Sequence, residues 1–192
     1  MRKLISFMHI SLDGFVAGPN GEMNWITINE DIFDFVGKKI SAGDTAMYGR
    51  KTFEMMEGYW PTAAEKENAT KHDIDHSKWY KGIRKIVLSH TLNQENFSNT
   101  IVLGSDFKVA LQTIKEEEGP DILVFGSPSA THALLAENLI DGFWLFQNPI
   151  VLGKGIPLFK NIQEQKKLKL ERTHVFNSGV IELFYLLRKE NE

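Results

Sequence analysis

The residues best placed to do chemistry lie in three short runs: Gly49-Arg50-Lys51-Thr52, Ser89-His90-Thr91 and Gly126-Ser127-Pro128-Ser129-Ala130-Thr131. Each follows an apolar segment with strand character. The first and third run straight into helical patterns. A glycine at such a turn lets the backbone approach a ligand closely, and the N–H groups and dipole of the following helix favour negative charge. Arg50 can fork onto phosphate oxygens, while the second run offers two hydroxyls and an imidazole. Any one of these alone reads equally well as an ordinary strand-to-helix turn with a solvated surface. Together they suit an extended ligand with several phosphates, such as a dinucleotide, because ligands of open α/β sheets sit beyond the carboxyl ends of the strands.

Other chemistries find less support. There is no G-x-G-x-x-G, no Walker-type G-x-x-x-x-G-K-[ST], no G-x-S-x-G and no H-E-x-x-H. The absence of cysteine removes disulfides, thiolate metal sites and a cysteine nucleophile. His72 and His76, four apart, could share a helix face and hold a metal. They lack an evident third ligand, and no metal is expected. Glu30 and Asp31 open a helical pattern. They suit a first turn, where the helix dipole favours carboxylates. A net charge of -3 gives no global field for nucleic acid or anionic membrane, and no stretch is apolar for long enough to span a bilayer. The N-terminal apolar run is short and reads as a first strand rather than a signal peptide. A cytoplasmic, small-molecule-binding protein is expected, organised as one domain over residues 1–192.

The elements that must position these residues follow from periodicity and punctuation. Lys3 to Ile10 is apolar on both faces, as a central doubly covered strand requires. A Gly/Pro/Asn-rich loop from Ser11 to Trp25 is a candidate lid. Asn29 is placed to cap a helix through Lys39. Asp44 to Tyr48, Lys85 to Leu88, Thr100 to Leu103 and Asp121 to Phe125 read as strands. Asp106 to Glu118 reads as a helix with Val109, Leu111 and Ile114 inward and Lys115 outward. Between Glu57 and Lys81 the pattern is poor: a turn at Gly58–Pro61, a short helix at Thr62–Asn68 and another turn at Ser77–Tyr80 are expected. The nearby aromatics Tyr59, Trp60, Trp79 and Tyr80 are expected to be exposed. Ser127 as N-cap with Pro128 at the first helical position marks a helix start. After Asp141 a strand from Phe143 to Val151 is followed by two more, Leu168 to Phe176 and Val180 to Leu187, joined as a hairpin. The expected fold is α/β, with a central mixed, mostly parallel sheet flanked by helices and a C-terminal antiparallel hairpin.

The order Ser11-Leu12-Asp13-Gly14, Trp25, Tyr48-Gly49-Arg50-Lys51-Thr52-Phe53, Val87-Leu88-Ser89 and Val124-Phe125-Gly126 resembles the dihydrofolate reductase superfamily. The segment Pro149 to Phe159 resembles the branch that holds the reductase domain of the bifunctional riboflavin-biosynthesis enzyme, with its many small stand-alone bacterial proteins. The resemblance covers nearly the whole chain. It implies hydride transfer with NADPH as cofactor, and a homodimer. By position, His9 and Val16-Ala17-Gly18 would line the nicotinamide end, and Trp25 would close the lid loop. Gly49 to Thr52 would hold phosphate and ribose, with Arg50 near the 2′-phosphate. Ser89, His90 and Thr91 would meet the adenosine end, and Gly126 through Thr131 would cradle the pyrophosphate. Glu30, five after Trp25 and with Asp31 beside it, stands where dihydrofolate reductases carry their pterin-binding acid, so the resemblance implies that one of these carboxylates assists protonation; the alternative is a pair of surface acids.

The chain also departs from these families. Ser127 replaces the second glycine of a pair joined in the family by a cis peptide, so Gly126-Ser127 is expected to be cis or strained. Val124 replaces a substrate-contacting glutamate, and Lys39 replaces a substrate-binding arginine. The leading expectation is a reductase of a small heterocycle of pterin or aminopyrimidine type. The alternative is a non-catalytic nucleotide-binding protein that keeps the cofactor cleft.

Overall fold

The computed structural model describes residues 1–188. Strand β1 (Leu4–Ile10) and the short β2 (Phe15–Ala17) precede helix α1 (Glu30–Ile40). Next come β3 (Thr45–Gly49), α2 (Arg50–Glu57), α3 (Trp60–Ala63), α4 (Lys71–Gly82) and β4 (Arg84–Leu88). They are followed by β5 (Thr100–Leu103), α5 (Phe107–Glu116), β6 (Ile122–Phe125), α6 (Pro128–Ala136) and β7 (Gly142–Gln147). The chain ends with β8 (Ile156–Pro157), β9 (Leu168–Val175) and β10 (Ile181–Leu187).

One sheet runs in the order β5-β4-β3-β6-β1-β7-β10-β9. Every pair from β5 to β7 is parallel, and β10 pairs antiparallel with both β7 and β9. This is the expected mixed sheet with its terminal hairpin. The crossovers cover both faces, so the parallel strands read as continuous apolar runs. Leu4, Met8, Met47, Ile86 and Val124 pack on one face with Leu111 and Ile114 of α5 and Leu134 of α6. Ile5, Tyr48, Val87, Phe125 and Phe146 pack on the other with Ile32 and Val36 of α1, Phe53 of α2 and Tyr80 of α4. A separate ribbon pairs β2 with β8 and ties down the root of the Ser11–Trp25 loop. There the Asp13 carboxylate accepts from the N–H groups of Leu152 (3.1 Å) and Gly153 (2.7 Å).

The differences from expectation have local causes. Lys71 to Gly82 is a full helix, where the sequence pattern predicts only a turn at Ser77–Tyr80. Its signal is a capping box, Thr70 with Asp73, rather than an apolar stripe. The helix expected at Thr62–Asn68 is instead the short α3, which begins inside the expected Gly58–Pro61 turn with Pro61 in its first turn. Tyr80 is buried, and Trp60 and Trp79 are half-buried. Val109 is exposed although apolar, and Lys115 is buried although charged. Lys115 donates from Nζ to the Leu139 carbonyl and pairs with Asp141, so its ammonium is satisfied where its stem packs. Strand β7 stops at Gln147, before Pro149, which cannot donate to a ladder.

Candidate functional site

Four neighbouring parallel strands, β4-β3-β6-β1, end on the same edge of the sheet. Their last residues or following loops carry Ser89, Gly49, Gly126 and His9. At about 4.8 Å between strands this row spans roughly 14 Å, enough for several linked ligand groups. The topology therefore brings the three sequence runs and His9 to one edge.

The β3 and β6 turns interlock. The Gly49 N–H donates to Ser127 Oγ at 2.7 Å. A Cβ on Gly49 would stand 3.0 Å from that oxygen and 3.1 Å from Ser127 Cβ, so a side chain there would push the turns apart. A Cβ on Gly126 would sit 3.5 Å from Thr52 Cγ2. Ser127 thus occupies the N-cap position of α6 without capping it; its hydroxyl serves Gly49 instead. No cis peptide occurs among the described residues, so the Gly126-Ser127 bond is trans. The turn is nonetheless strained: Gly126 has φ +54° and Ser127 φ +56°, and the left-handed region is costly for a residue with a Cβ.

Among the described residues, α2 after Gly49 and α6 after Ser127 start in this row without a side-chain cap, as does α5 after β5 farther along the same edge. By contrast α1 is capped by Asn29 and α4 by Thr70. Arg50 and Lys51 are exposed on the first turn of α2, and Arg50 Nη1 holds Glu54 Oε1 at 2.8 Å. Ser129 is exposed on the first turn of α6. Ala130 and Thr131 are buried, Thr131 Oγ1 lying 3.1 Å from Ser6 Oγ, so these two support the turn rather than face a ligand. Ser89 Oγ is occupied by the N–H groups of Thr91 (3.2 Å) and Leu92 (3.1 Å), which leaves His90 and the Thr91 side chain exposed.

His9 closes the row. Burial pushes its imidazole from the ordinary 6.5 down to about 4, so the ring is neutral at pH 7. Its neighbour Asn148, 1% exposed, was missed in the sequence. That residue accepts from the Thr27 N–H at 2.8 Å and so anchors the segment between Trp25 and α1. The only sequence hint was its place between an apolar strand and a proline. Val16, Ala17 and Gly18 are buried, the first two beside β8, and Trp25 is half-buried with its Nε1 donating to the Glu22 carbonyl at 3.0 Å. Glu30 and Asp31 are exposed in the first turn of α1.

The two substrate candidates do not join the row. Val124 is fully buried on the α5/α6 face. Lys39 lies near the C-terminal end of α1, at the opposite edge of the sheet. It lines a cleft of about 200 Å³ with Ile5, Thr45, Trp79, Asp121 and Arg172. Among the described residues no group of three or more His, Cys, Asp or Glu is arranged to hold a metal. His72 is stacked on Phe33 with ring centroids 3.8 Å apart, and His76 packs against Trp60 at 4.0 Å. No described helix is long and apolar enough to cross a membrane.

Comparisons with known proteins agree with this architecture. The uncharacterized protein YyaP of Bacillus subtilis (strain 168) is 31% identical over 187 residues, which cover 96% of this chain and 94% of YyaP. A pyrimidine reductase-like protein from Corynebacterium diphtheriae has a similar fold (TM-score 0.65, 15% identity, 98% of this chain and 93% of that one). So does dihydrofolate reductase from Enterococcus faecalis, solved with NADP(H) and RAB-propyl (TM-score 0.60, 16% identity, 97% of each chain). The family model for the RibD C-terminal domain matches residues 2–181, the whole sheet up to the first residue of β10. With its row of strand-end loops and its antiparallel terminal hairpin, this chain belongs to the RibD C-terminal domain family.

Proposed function

We propose that this protein is an NADPH-dependent reductase of a small heterocycle of pterin or aminopyrimidine type. The observation that carries the reading is the row of loops after β4, β3 and β6, with two uncapped helix starts and the exposed Arg50 and Lys51. Free first-turn N–H groups and a guanidinium are what a pyrophosphate and a 2′-phosphate require. The E. faecalis reductase, similar in fold, was solved with NADP(H). When bound, the nicotinamide would supply the hydride. The residues would act by placement: the interlocked Gly49 and Ser127 turns hold the phosphates, and His9 stands at the end of the row. Glu30 and Asp31 would be the acid candidates, reached through the Trp25–Asn29 segment.

A second reading, a nucleotide-binding protein without turnover, is favoured by one observation: Val124 and Lys39 both lie outside the row of loops. Tryptophan-fluorescence titration with NADPH and NADH tests the first. Binding of NADPH is expected, and no binding of either nucleotide would remove the reductase reading. NADPH oxidation is then assayed with dihydrofolate and with 5-amino-6-(5-phosphoribosylamino)uracil. Binding without oxidation would favour the second reading. A homodimer is also proposed; β9 is an outer strand of the sheet, with Leu170 and Val175 exposed on it. Light scattering at the monomer mass would exclude it.

A further inference from the structure

The amide of Asn148 has only one orientation compatible with its backbone neighbours. Its Oδ1 lies 2.8 Å from the Thr27 nitrogen, which can only donate. Its Nδ2 lies 3.0 Å from the Phe146 carbonyl, which can only accept. The oxygen must therefore face Thr27, and the amino group must face Phe146 and its surroundings. That same amino group lies 3.4 Å from His9 Nδ1. Its second hydrogen has two acceptors in reach, His9 Nδ1 and the Ile10 carbonyl at 3.5 Å; a protonated Nδ1 would set N–H against N–H, so the contact favours a lone pair there. In the neutral ring the single proton then belongs to Nε2.

The other side of the ring is open. His9 Nε2 makes no hydrogen bond among the described residues, yet it is not among the buried side-chain atoms that lack a partner. His9 itself is half-buried at the loop-bearing edge of the sheet, beside the Gly126 turn. The ring plane is set by Phe146, 5.2 Å away, and by Phe7 at 6.3 Å. Burial opposes a charge on the ring from the same direction as the amide does.

We propose that Asn148 locks His9 as a neutral Nε2–H donor at the loop-bearing edge of the sheet, where it selects an acceptor oxygen of the carbonyl or carboxamide class. Asn148 is a positioning residue that acts through His9. It also anchors the Thr27 backbone, so the donor and the segment leading to Glu30 are held by one side chain. The tautomer follows from geometry alone; the ligand class rests on the NADPH reading of the cleft.

The test is 15N NMR of histidine-labelled protein, with His9 assigned by its loss in His9→Gln. The expected wild-type pattern is a protonated Nε2 and an unprotonated Nδ1, with no titration near pH 6.5. A protonated Nδ1 at pH 7 would overturn the proposal in the native protein, whether or not any variant folds. Asn148→Ala should release the lock and give a mixture of tautomers; an unchanged pure Nε2–H form would overturn the role of Asn148. Adding NADPH should shift the Nε2 resonance. Because a glutamine amide can mimic an Nε2–H donor, His9→Gln should retain NADPH affinity, while His9→Phe should lose about tenfold. NADPH binding with no Nε2 shift, or equal affinities for the two variants, would overturn the ligand contact. Absence of NADPH binding by fluorescence would remove the cofactor reading and the ligand class with it, and the wild-type tautomer would still decide for or against the lock.

Discussion

At the scale of single residues, the interlocked turns are the most exposed to test. Ser127 is 5% exposed, and its hydroxyl is the partner of the Gly49 N–H. Ser127→Ala should leave a buried donor unpaired and cost about 1–3 kcal/mol, measured by urea denaturation. Ser127→Gly should cost less, because it loses the same bond but relieves a left-handed φ. Equal losses would show that the backbone at Ser127 stores no strain. Arg50 faces a different test. It is half free, held by Glu54 on an exposed face. Arg50→Ala should weaken NADPH by more than about tenfold and NADH by much less, since a charge-assisted bond to phosphate is worth about 1.5–3 kcal/mol. Calorimetric titration with equal losses for both nucleotides would place Arg50 away from the 2′-phosphate.

At the scale of elements, α4 is docked through aromatic rings and histidines. His72 lies on Phe33 of α1, and His76 lies between Trp60 and Trp79. Desolvation, then the neighbouring His72, push His76 from 6.5 down to about 3, while Asp73 opposes the shift. His72 is lowered by burial against the pull of Asp73, Asp75 and Asp34. Both His76 and His9 thus titrate lower in the fold than in the unfolded chain. Their contribution is intact above about pH 6.5 and is lost as pH falls towards 4, because the unfolded state takes up protons first. Stability should fall by about 1 kcal/mol per pH unit for each histidine in that window. His76→Phe should flatten the slope of urea-derived stability against pH, and an unchanged slope would show that His76 is not buried neutral.

At the scale of the whole molecule, the terminal hairpin is fastened by a buried carboxylate. Glu182 is fully buried; its Oε1 accepts from Trp144 Nε1 at 2.8 Å and from Arg172 Nε at 2.9 Å, and forms an ion pair with Arg172 Nη2 at 2.8 Å. Its other oxygen, Oε2, has no hydrogen-bond partner among the described residues. Arg172→Met leaves that charge uncompensated and should cost about 3 kcal/mol, near the low end for broken buried pairs because the guanidinium is partly solvated. Replacing both partners, as in Arg172→Met with Glu182→Leu, should recover most of the loss. A double variant as unstable as the single would show that the pair contributes more than its own neutralisation. Ligand linkage acts at the same scale: NADPH at a hundred times its dissociation constant should add about 2.7 kcal/mol to global stability, read as a raised Tm.

Much of this was legible in the chain, for physical reasons that differ by segment. The central strands announce themselves because burial on both faces demands unbroken apolar runs, as in Lys3–Ile10 and Asp121–Phe125. The Asn29 cap and the Gly49 and Gly126 turns are local chemistry, and each of these lies where its residues put it. Helix α4 was not legible, because its stability comes from a polar cap and from rings packed across three elements rather than from an apolar period. Lys115 and Val109 read backwards for a related reason: a long ammonium can be buried when Asp141 and a carbonyl, distant in sequence, meet it. Lys39 could be matched by position, but only the direction of α1 against the strands puts it at the far edge. Asn148 gave no motif at all, since its partners His9 and Thr27 are 139 and 121 residues away. By itself, then, the sequence determined the central strands, most of the helices and the anion-friendly turns, because those depend on neighbours along the chain. Only the tertiary structure decided that these turns share one edge, that Ser127 serves Gly49 and that a remote amide orients His9, because those depend on neighbours in space.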